Sequence, residues 1–369
     1  MYGLPPNNWS TVLIRPKTKP RRPYMSYRNI LAIDLAKEVF QICKTDHNGK
    51  VIYNKAVSRR KLQEILRKEK ASLAAMESCA TSHYWCRYAM ECGHAVKPMH
   101  ARTVKAFLTK QKTDKNDALA ISIAALQPHV PSTRILNTEE QALQSVDRMR
   151  ELAVSQRRSC SNQIRSLLNE FGITIAKGIA HLKAKLPDIL EDAENGLPGM
   201  FRQSIAMAFE MLKTHIEYIA DLDKKLEAEV KNNETCQKLM MLEGVGPLSA
   251  IGLTIRLGQP AIFKNGRAAS ASIGLTPKQH SSGGKEVIGH IAKYSADKRL
   301  RSTLYQGALA VIARVDKREA RTQKEVWLKG IIQRRGKKVA AIALANKNVR
   351  TTYALIKNNT NYKATAIAA

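Results

Sequence analysis

From Met200 to Lys231 the chain contains neither glycine nor proline, and its apolar residues step by three and four through Ile205, Phe209, Leu212, Ile216, Ile219, Leu222, Leu226 and Val230. That spacing is the period of a coiled-coil seam. A helix of this length buries only a stripe, so it requires another helix beside it. The upstream run Leu143, Val146, Leu152, Ile164, Leu167, Leu168 and Phe171 offers one, with Thr138 and Gln141 as a capping-box signature and Gly172 as a stop. An intramolecular hairpin and the seam of a dimer both satisfy the pattern. Residues 137–236 are therefore expected to be helical, with other domains on either side.

The N-terminal side reads differently. Residues 1–26 hold five basic residues, five prolines and no acid, which suggests a disordered basic arm, or an extension upstream of a natural start at Met25. Short β-prone runs follow at Asn29–Ile33, Val39–Cys43 and Lys50–Tyr53, split by turn-like residues such as Asp46–Gly49. The pattern then predicts a helix over Ser58–Lys70, a strand over Ala71–Glu77 and a helix over Ser82–Glu91. A strand at His94–Pro98 and a helix at Arg102–Leu108 come next. Three strands followed by alternating helices and strands predict a mixed α/β sheet over residues 27–136.

Four acids stand at telling places on that sheet. Asp34 follows the first strand, Glu77 ends the fourth, and Asp114 and Asp117 open a helix running through Leu119, Ile121, Ile123 and Leu126. Residues at i and i+3 share a helix face. The carboxyl edge of an open sheet is where α/β proteins place their sites. Four carboxylates aimed at one point repel one another without cations, and hard oxygen donors of that charge suit Mg²⁺ or Mn²⁺. Two such ions roughly 4 Å apart clamp the attacking and leaving oxygens of a phosphodiester. Helix caps and solvated acids are the plainer alternative.

Charge narrows the partners. With 61 Lys and Arg against 31 Asp and Glu, the net charge is +30, which favours a polyanion, nucleic acid before anionic membrane. No apolar run approaches a membrane span and no signal-peptide core is present. Cys43, Cys79, Cys86, Cys92, Cys160 and Cys236 form no CxxC pair, so reduced thiols of a cytosolic protein are expected. Aromatic residues make up only 5% of the chain, which argues against base stacking as the main binding device.

The segments Ala32-Ile-Asp34-Leu-Ala-Lys37, Met76-Glu77-Ser-Cys-Ala-Thr81 and Lys112-Thr-Asp114-Lys-Asn-Asp117-Ala118 together resemble the DEDD transposases of the IS-one-ten type and the related pilin-gene DNA invertases. The resemblance spans roughly Tyr27 to Lys357. It implies an N-terminal domain similar to the RuvC junction resolvase, with a ribonuclease-H-like fold, and Asp34, Glu77, Asp114 and Asp117 each as a metal ligand. It further implies a dimerising coiled coil, a tetramer of two dimers, and a bridge RNA that pairs with donor and target DNA.

The third region, residues 237–357, is expected to be mostly helical. Leu242-Glu-Gly244-Val-Gly246-Pro-Leu-Ser-Ala250 reads as a helix-hairpin-helix turn whose glycines let backbone N–H groups approach phosphate. Ala271 to Lys285 ends in a flexible Ser-Ser-Gly-Gly loop flanked by Lys278 and Lys285, which on composition alone reads as a linker. The resemblance implies a nucleophilic serine after the Gly-Leu-Thr-Pro segment, with Ser282 at the matching position and the neighbouring Ser281 as the alternative. Between Lys264 and Arg350, 20 Lys and Arg face 5 Asp and Glu. Lys298, Arg299 and Arg301 form one dense cluster and Arg334, Arg335, Lys337 and Lys338 another, both candidates for nucleic-acid contact. Residues 358–369 are expected to fray. The rival readings are a metal-dependent junction nuclease in which water attacks and Ser282 is idle, and a non-catalytic nucleic-acid scaffold.

Overall fold

A computed structural model of the chain describes residues 29–291 and 297–367. The expected basic arm, residues 1–26, and the start suggested at Met25 lie outside the described residues. The chain divides into two compact units, the first ending at Ile135 and the second beginning at Leu136.

The first unit is a five-stranded mixed sheet between helices. Its elements are β1 (Asn29–Asp34), β2 (Val39–Asp46), β3 (Val51–Ser58), α1 (Arg59–Lys68), β4 (Leu73–Glu77), α2 (Ser82–Glu91), β5 (Ala95–Met99), α3 (Ala101–Lys105) and α4 (Asp114–Leu126). Strand order is β3-β2-β1-β4-β5, with β1 antiparallel to β2, β2 antiparallel to β3, and β1, β4 and β5 parallel. Successive side chains of a strand point to opposite faces. In β1, Leu31 and Ile33 therefore pack with Phe40, Leu62, Leu66 and Trp85 under α1 and α2. Ile30 and Ala32 join Ala118, Ile121 and Ala124 of α4 on the other face. A strand covered on both sides needs the continuous apolar run that β1 has.

Two buried polar side chains tie the layers together. His94 bridges the backbone, its Nδ1 accepting from Ser72 N–H at 3.2 Å while Nε2 meets the Leu66 carbonyl at 2.7 Å. Lys97 of β5 donates to the carbonyls of Ala125 and Gln127 at 2.8 and 3.0 Å, capping the last turn of α4.

The second unit opens with α5 (Thr138–Asn169), α6 (Ile179–Glu191) and α7 (Gly199–Asn232). Helices α5 and α7 lie along one another within the chain. Ile164 and Leu168 pack against Ile205, Phe209 and Leu212, and α6 closes that end with Leu182 and Leu186. The capping box belongs to Asn137 and Glu140, one residue before the expected Thr138 and Gln141. Asparagine is an equally good N-cap, and its side chain takes the Glu140 N–H at 2.7 Å. Of the stripe expected on α5, Ile164 and Leu168 are buried in the seam together with Ala153, whereas Leu152, Leu167 and Phe171 are exposed.

The remaining elements are α8 (Glu234–Met240), α9 (Pro247–Leu257), α10 (Gly266–Ile273), β6 (Pro277–Ser282), β7 (Lys285–Ile291), α11 (Lys298–Val315) and α12 (Gln323–Asn358). Their common core gathers Leu239, Ile251, Leu253, Ile273, Leu300, Leu304, Val349 and Tyr353. Helix α11 crosses the α8–α9 turn so closely that a Cβ on Gly307 would lie 2.0 Å from the Gly244 carbonyl oxygen. The chain beyond Asn358 does not fray at once. Gln323 N–H donates to the Thr365 carbonyl at 3.1 Å, and the Tyr362 hydroxyl donates to Glu243 at 3.0 Å.

Candidate active site

The acids converge because of sheet topology. Ile33 of β1 is level with Met76 of the parallel β4, so Asp34 and Glu77 end adjacent strands at the same carboxyl edge. Helix α4 begins at that edge. Thr113 caps it by accepting the Asn116 N–H at 3.3 Å, and Asp114 and Asp117 occupy the first turn, where the helix dipole favours negative charge. Carboxylate oxygens of Asp34, Asp114 and Asp117 all lie within 4.8 Å of one another. Glu77 stands outside that trio but close enough to act on Asp34 electrostatically.

Electrostatics at the edge are those of an anionic site. Burial pushes the Asp34 carboxyl up to about 6, and Asp117, Glu77 and Asp114 push in the same direction, while Lys112 opposes them. Three or four hard oxygen donors at such spacing, one of them resisting ionisation, fit a divalent cation of the Mg²⁺ or Mn²⁺ class.

Two residues that the sequence did not single out hold the arrangement. Gln41 lies across from Asp34 on β2 and is buried, and its Nε2 donates to Asn54 Oδ1 at 2.7 Å. Asn54 Nδ2 in turn donates to the Lys115 carbonyl at 2.8 Å, in the first turn of α4. The relay fixes the helix that carries Asp114 and Asp117 to the sheet that carries Asp34. Partners that hydrogen-bond a metal ligand itself typically contribute 10- to 100-fold to metal affinity, and this relay, which holds the backbone beside Asp114, falls at the low end of that range. Asn54→Ala is accordingly expected to weaken Mn²⁺ binding about tenfold in a calorimetric titration; unchanged affinity would show that α4 holds its place without the relay.

In the second unit the stretch read as a flexible loop is a β-hairpin. Gly283 and Gly284 both have positive φ, 54° and 77°, as a two-residue turn between twisted strands demands. Ser282 opposes Lys285 and Ser281 opposes Glu286. Residues directly opposite share a face and alternate residues share a face. His280, Ser282 and Lys285 therefore stand together on one side of the hairpin, and Gln279, Ser281 and Glu286 on the other. All are exposed.

Several cations and glycines are engaged within the unit. Arg299 binds Asp147, which is buried on α5, and reaches Glu151 at 3.3 Å. Arg301 donates to the Gly274 carbonyl at 3.3 Å. Lys337 pairs with Asp316 at 2.7 Å. Arg334, Arg335, Lys337 and Lys338 flank Gly336, where α12 is interrupted by a positive φ of 79°, so the cluster brackets a break in the helix. Lys298 opens α11, and Lys278 sits at a register shift in β6. Gly244, with φ 83°, makes the tight approach to Gly307, and Gly246 is the N-cap of α9.

Comparison with known proteins agrees across most of the chain. Residues 31–173 match a family model described as a transposase, of the DEDD type named for IS110, and residues 236–325 match the model "Transposase IS116/IS110/IS902 family". A probable family 20 transposase of Pseudomonas aeruginosa is 36% identical over 335 residues, covering 90% of this chain and 98% of that protein. The transposase for insertion sequence element IS1111A of Coxiella burnetii is 35% identical over 348 residues, 94% of this chain and 95% of that one. With this degree of identity over nearly the whole length, the chain belongs to the IS110/IS116/IS902 family of transposases, enzymes that act on DNA.

Proposed function

We propose that this transposase cuts and rejoins DNA at insertion-sequence ends and target by phosphoryl transfer, with Asp34, Glu77, Asp114 and Asp117 holding divalent metal and Ser282 as the nucleophile. The observation that carries the reading is the trio of carboxylates within 4.8 Å at a strand edge, one of them shifted up to about 6. The strand order β3-β2-β1-β4-β5, antiparallel then parallel, supports a RuvC-like, ribonuclease-H-like domain. Those carboxylates would hold Mg²⁺ or Mn²⁺, which would supply positive charge to a phosphodiester bound there.

The chain's own residues divide the remaining work. Ser282 Oγ attacks phosphorus, its proton passes to His280 on the same hairpin face, and the P–O bond to the leaving deoxyribose breaks. The released sugar oxygen takes that proton back from the His280 imidazolium, leaving the DNA phosphate esterified to Ser282. Lys285, across the strand from Ser282, faces the developing negative charge. Rejoining is the reverse: a hydroxyl of another DNA end attacks the ester and frees the serine. Mixing Asp114→Asn and Ser282→Ala chains reports whether different subunits can supply the carboxylates and the serine.

Partners follow from surface and charge. On α7 the large apolar side chains Met200, Met207, Met211 and Tyr218 are exposed, at steps of seven, four and seven, apart from the stripe that faces α5. Such a second seam supports pairing into a dimer, and a tetramer of dimers with DNA. A guide RNA that reads DNA by base pairing suits a protein whose excess of +30 is generic rather than sequence-reading. Among the described residues no helix is long and apolar enough to cross a membrane.

The reading is tested by incubating the chain with insertion-sequence DNA, its flanking transcript and Mg²⁺. A covalent protein–DNA adduct supports it. Metal-dependent cleavage without adduct means a water-attacking nuclease, and binding alone means a scaffold. The basic cluster has its own test. Each phosphate contact adds about 0.9 to the log–log salt slope on duplex DNA. Changing Arg334, Arg335, Lys337 and Lys338 to glutamine should flatten the slope by about 2 to 4, whereas an unchanged slope would return the cluster to solvated surface.

A further inference from the structure

On the outer face of the first unit, side chains of α1 and α2 form a ladder of alternating donor and aromatic rungs. The Arg59 guanidinium lies 5.1 Å from the Tyr84 ring centre and 5.0 Å from that of Trp85. Gln63 Nε2 donates to the Tyr84 hydroxyl at 3.4 Å. The Tyr84 and Tyr88 rings are nearly parallel, 16° apart, with centres separated by 6.2 Å. Arg67 Nε donates to the Tyr88 hydroxyl at 2.7 Å and lies 5.9 Å from its ring centre. Arg59, Gln63 and Arg67 step by four, as do Tyr84 and Tyr88, so each set lines one helix face.

Burial alone does not require this ladder. Trp85, Leu62 and Leu66 already fill the space between the helices and the sheet, with Tyr88 half-buried against them, while Tyr84 is 38% exposed and Arg59 and Arg67 stand in solvent. In a chain only 5% aromatic, α2 concentrates Tyr84, Trp85 and Tyr88 within little more than one turn. Helix α1 carries five Lys and Arg with one acid, Glu64, and Glu64 is engaged by Lys61 at 3.0 Å. Exposed π-faces interleaved with guanidinium groups are the device by which proteins hold unpaired nucleic acid.

Topology gives the ladder a direction. Helix α1 follows the end of β3, and α2 follows Glu77 at the end of β4. Both helices thus start at the carboxyl edge and run away from it, with Arg59 and Tyr84 nearest the acids and Arg67 and Tyr88 farthest. We propose that this Arg–Tyr ladder is a docking track for an unpaired DNA strand, whose bases stack on Tyr84 and Tyr88 while Arg59 and Arg67 take its phosphates. The track leads the strand to or from the carboxylate edge. Its direction rests on the reading that DNA is cut at Asp34, Asp114 and Asp117; the binding itself does not.

The experiment uses the full chain and a fluorescein-labelled thymidine oligonucleotide, single-stranded or annealed to its complement, at salt high enough to suppress phosphate contacts. Tyr84→Ala with Tyr88→Ala should weaken single-strand binding by at least about tenfold, with duplex binding unchanged, and Tyr84→Phe with Tyr88→Phe should keep it. With 5-iodo-deoxyuridine in the strand and no metal present, ultraviolet light should crosslink DNA to Tyr84 or Tyr88 of the unaltered chain. The crosslink should be equally strong in Asp114→Asn, so that failure of the cutting reading shows separately as undiminished cleavage by that variant. Wild-type affinity in the alanine pair, equal loss on duplex, or crosslinks confined to other residues would reduce the ladder to a clasp between α1 and α2. Stronger binding and crosslinking of an oligouridine of the same length would assign the track to RNA and overturn the proposal.

Discussion

Replacing Asp34 by asparagine is expected to abolish metal-dependent DNA cleavage and at the same time to stabilise the metal-free protein above pH 6. Asparagine keeps the shape but removes the charge that Asp117, Glu77 and Asp114 oppose. In the wild type, the folded carboxyl holds its proton to about 6 instead of 3.8. Between those values the folded chain binds more protons than the unfolded chain, so stability falls as pH rises through the window. Above it the full cost remains, about 1–2 kcal/mol once partial exposure to solvent is allowed for. Melts in EDTA at pH 5 and 7.5 should show a steeper loss with pH in the wild type than in Asp34→Asn. Cleavage in Mg²⁺ should fall by at least about a thousandfold, since a divalent ion contributes several kcal/mol of charge stabilisation. Parallel pH slopes, or wild-type cleavage in EDTA, would remove the metal site from the reading.

Ser282→Ala should leave DNA binding intact and yield no covalent adduct. A serine hydroxyl is a weak nucleophile at neutral pH and needs a neighbouring base or a polarising cation. The hairpin register puts both on the face of Ser282, with His280 two residues before it and Lys285 across the strand, whereas Ser281 faces Glu286. Ser281→Ala should therefore be nearly silent. His280→Gln should slow adduct formation by about 10²–10⁴, the usual worth of a general base. An adduct that survives Ser282→Ala and disappears with Ser281→Ala would transfer the role by one residue. Cleavage at the wild-type rate in the double variant would make the enzyme a metal nuclease.

The parts of the fold that were legible are those where sequence period reports burial. Leu31 and Ile33 on one face of β1, Ile30 and Ala32 on the other, announce a strand covered on both sides, and the stripe from Ile205 to Val230 announces α7. The β6–β7 hairpin was missed because nearly all its residues are exposed, so nothing in its pattern alternates. The break in α12 rests on Gly336 alone, and a lone glycine in a helical pattern is ordinarily tolerated. At the site, acids at strand ends and in a helix's first turn can be read from spacing. The Gln41–Asn54 relay cannot, since it depends on the register that sets Gln41 opposite Asp34.

The ties beyond Asn358 bear on the order in which the molecule takes shape. Glu243, in the turn before α9, is reached by Lys324 at 2.6 Å and by the Tyr362 hydroxyl across a separation of 119 residues. Chains emerge from the ribosome N-terminus first, and domains fold as they appear. The sheet that carries Asp34 and Glu77 is complete once residue 135 has emerged, before any of the second unit is needed. Two ties of the second unit come later, because Gln323 meets Thr365 and Glu243 meets Tyr362 only once those residues have been made. A nascent chain can therefore form its carboxylate edge well before it can fasten the turn at Glu243, which needs Tyr362. A stop codon before Tyr362 would release a protein with that edge built and the fastening absent.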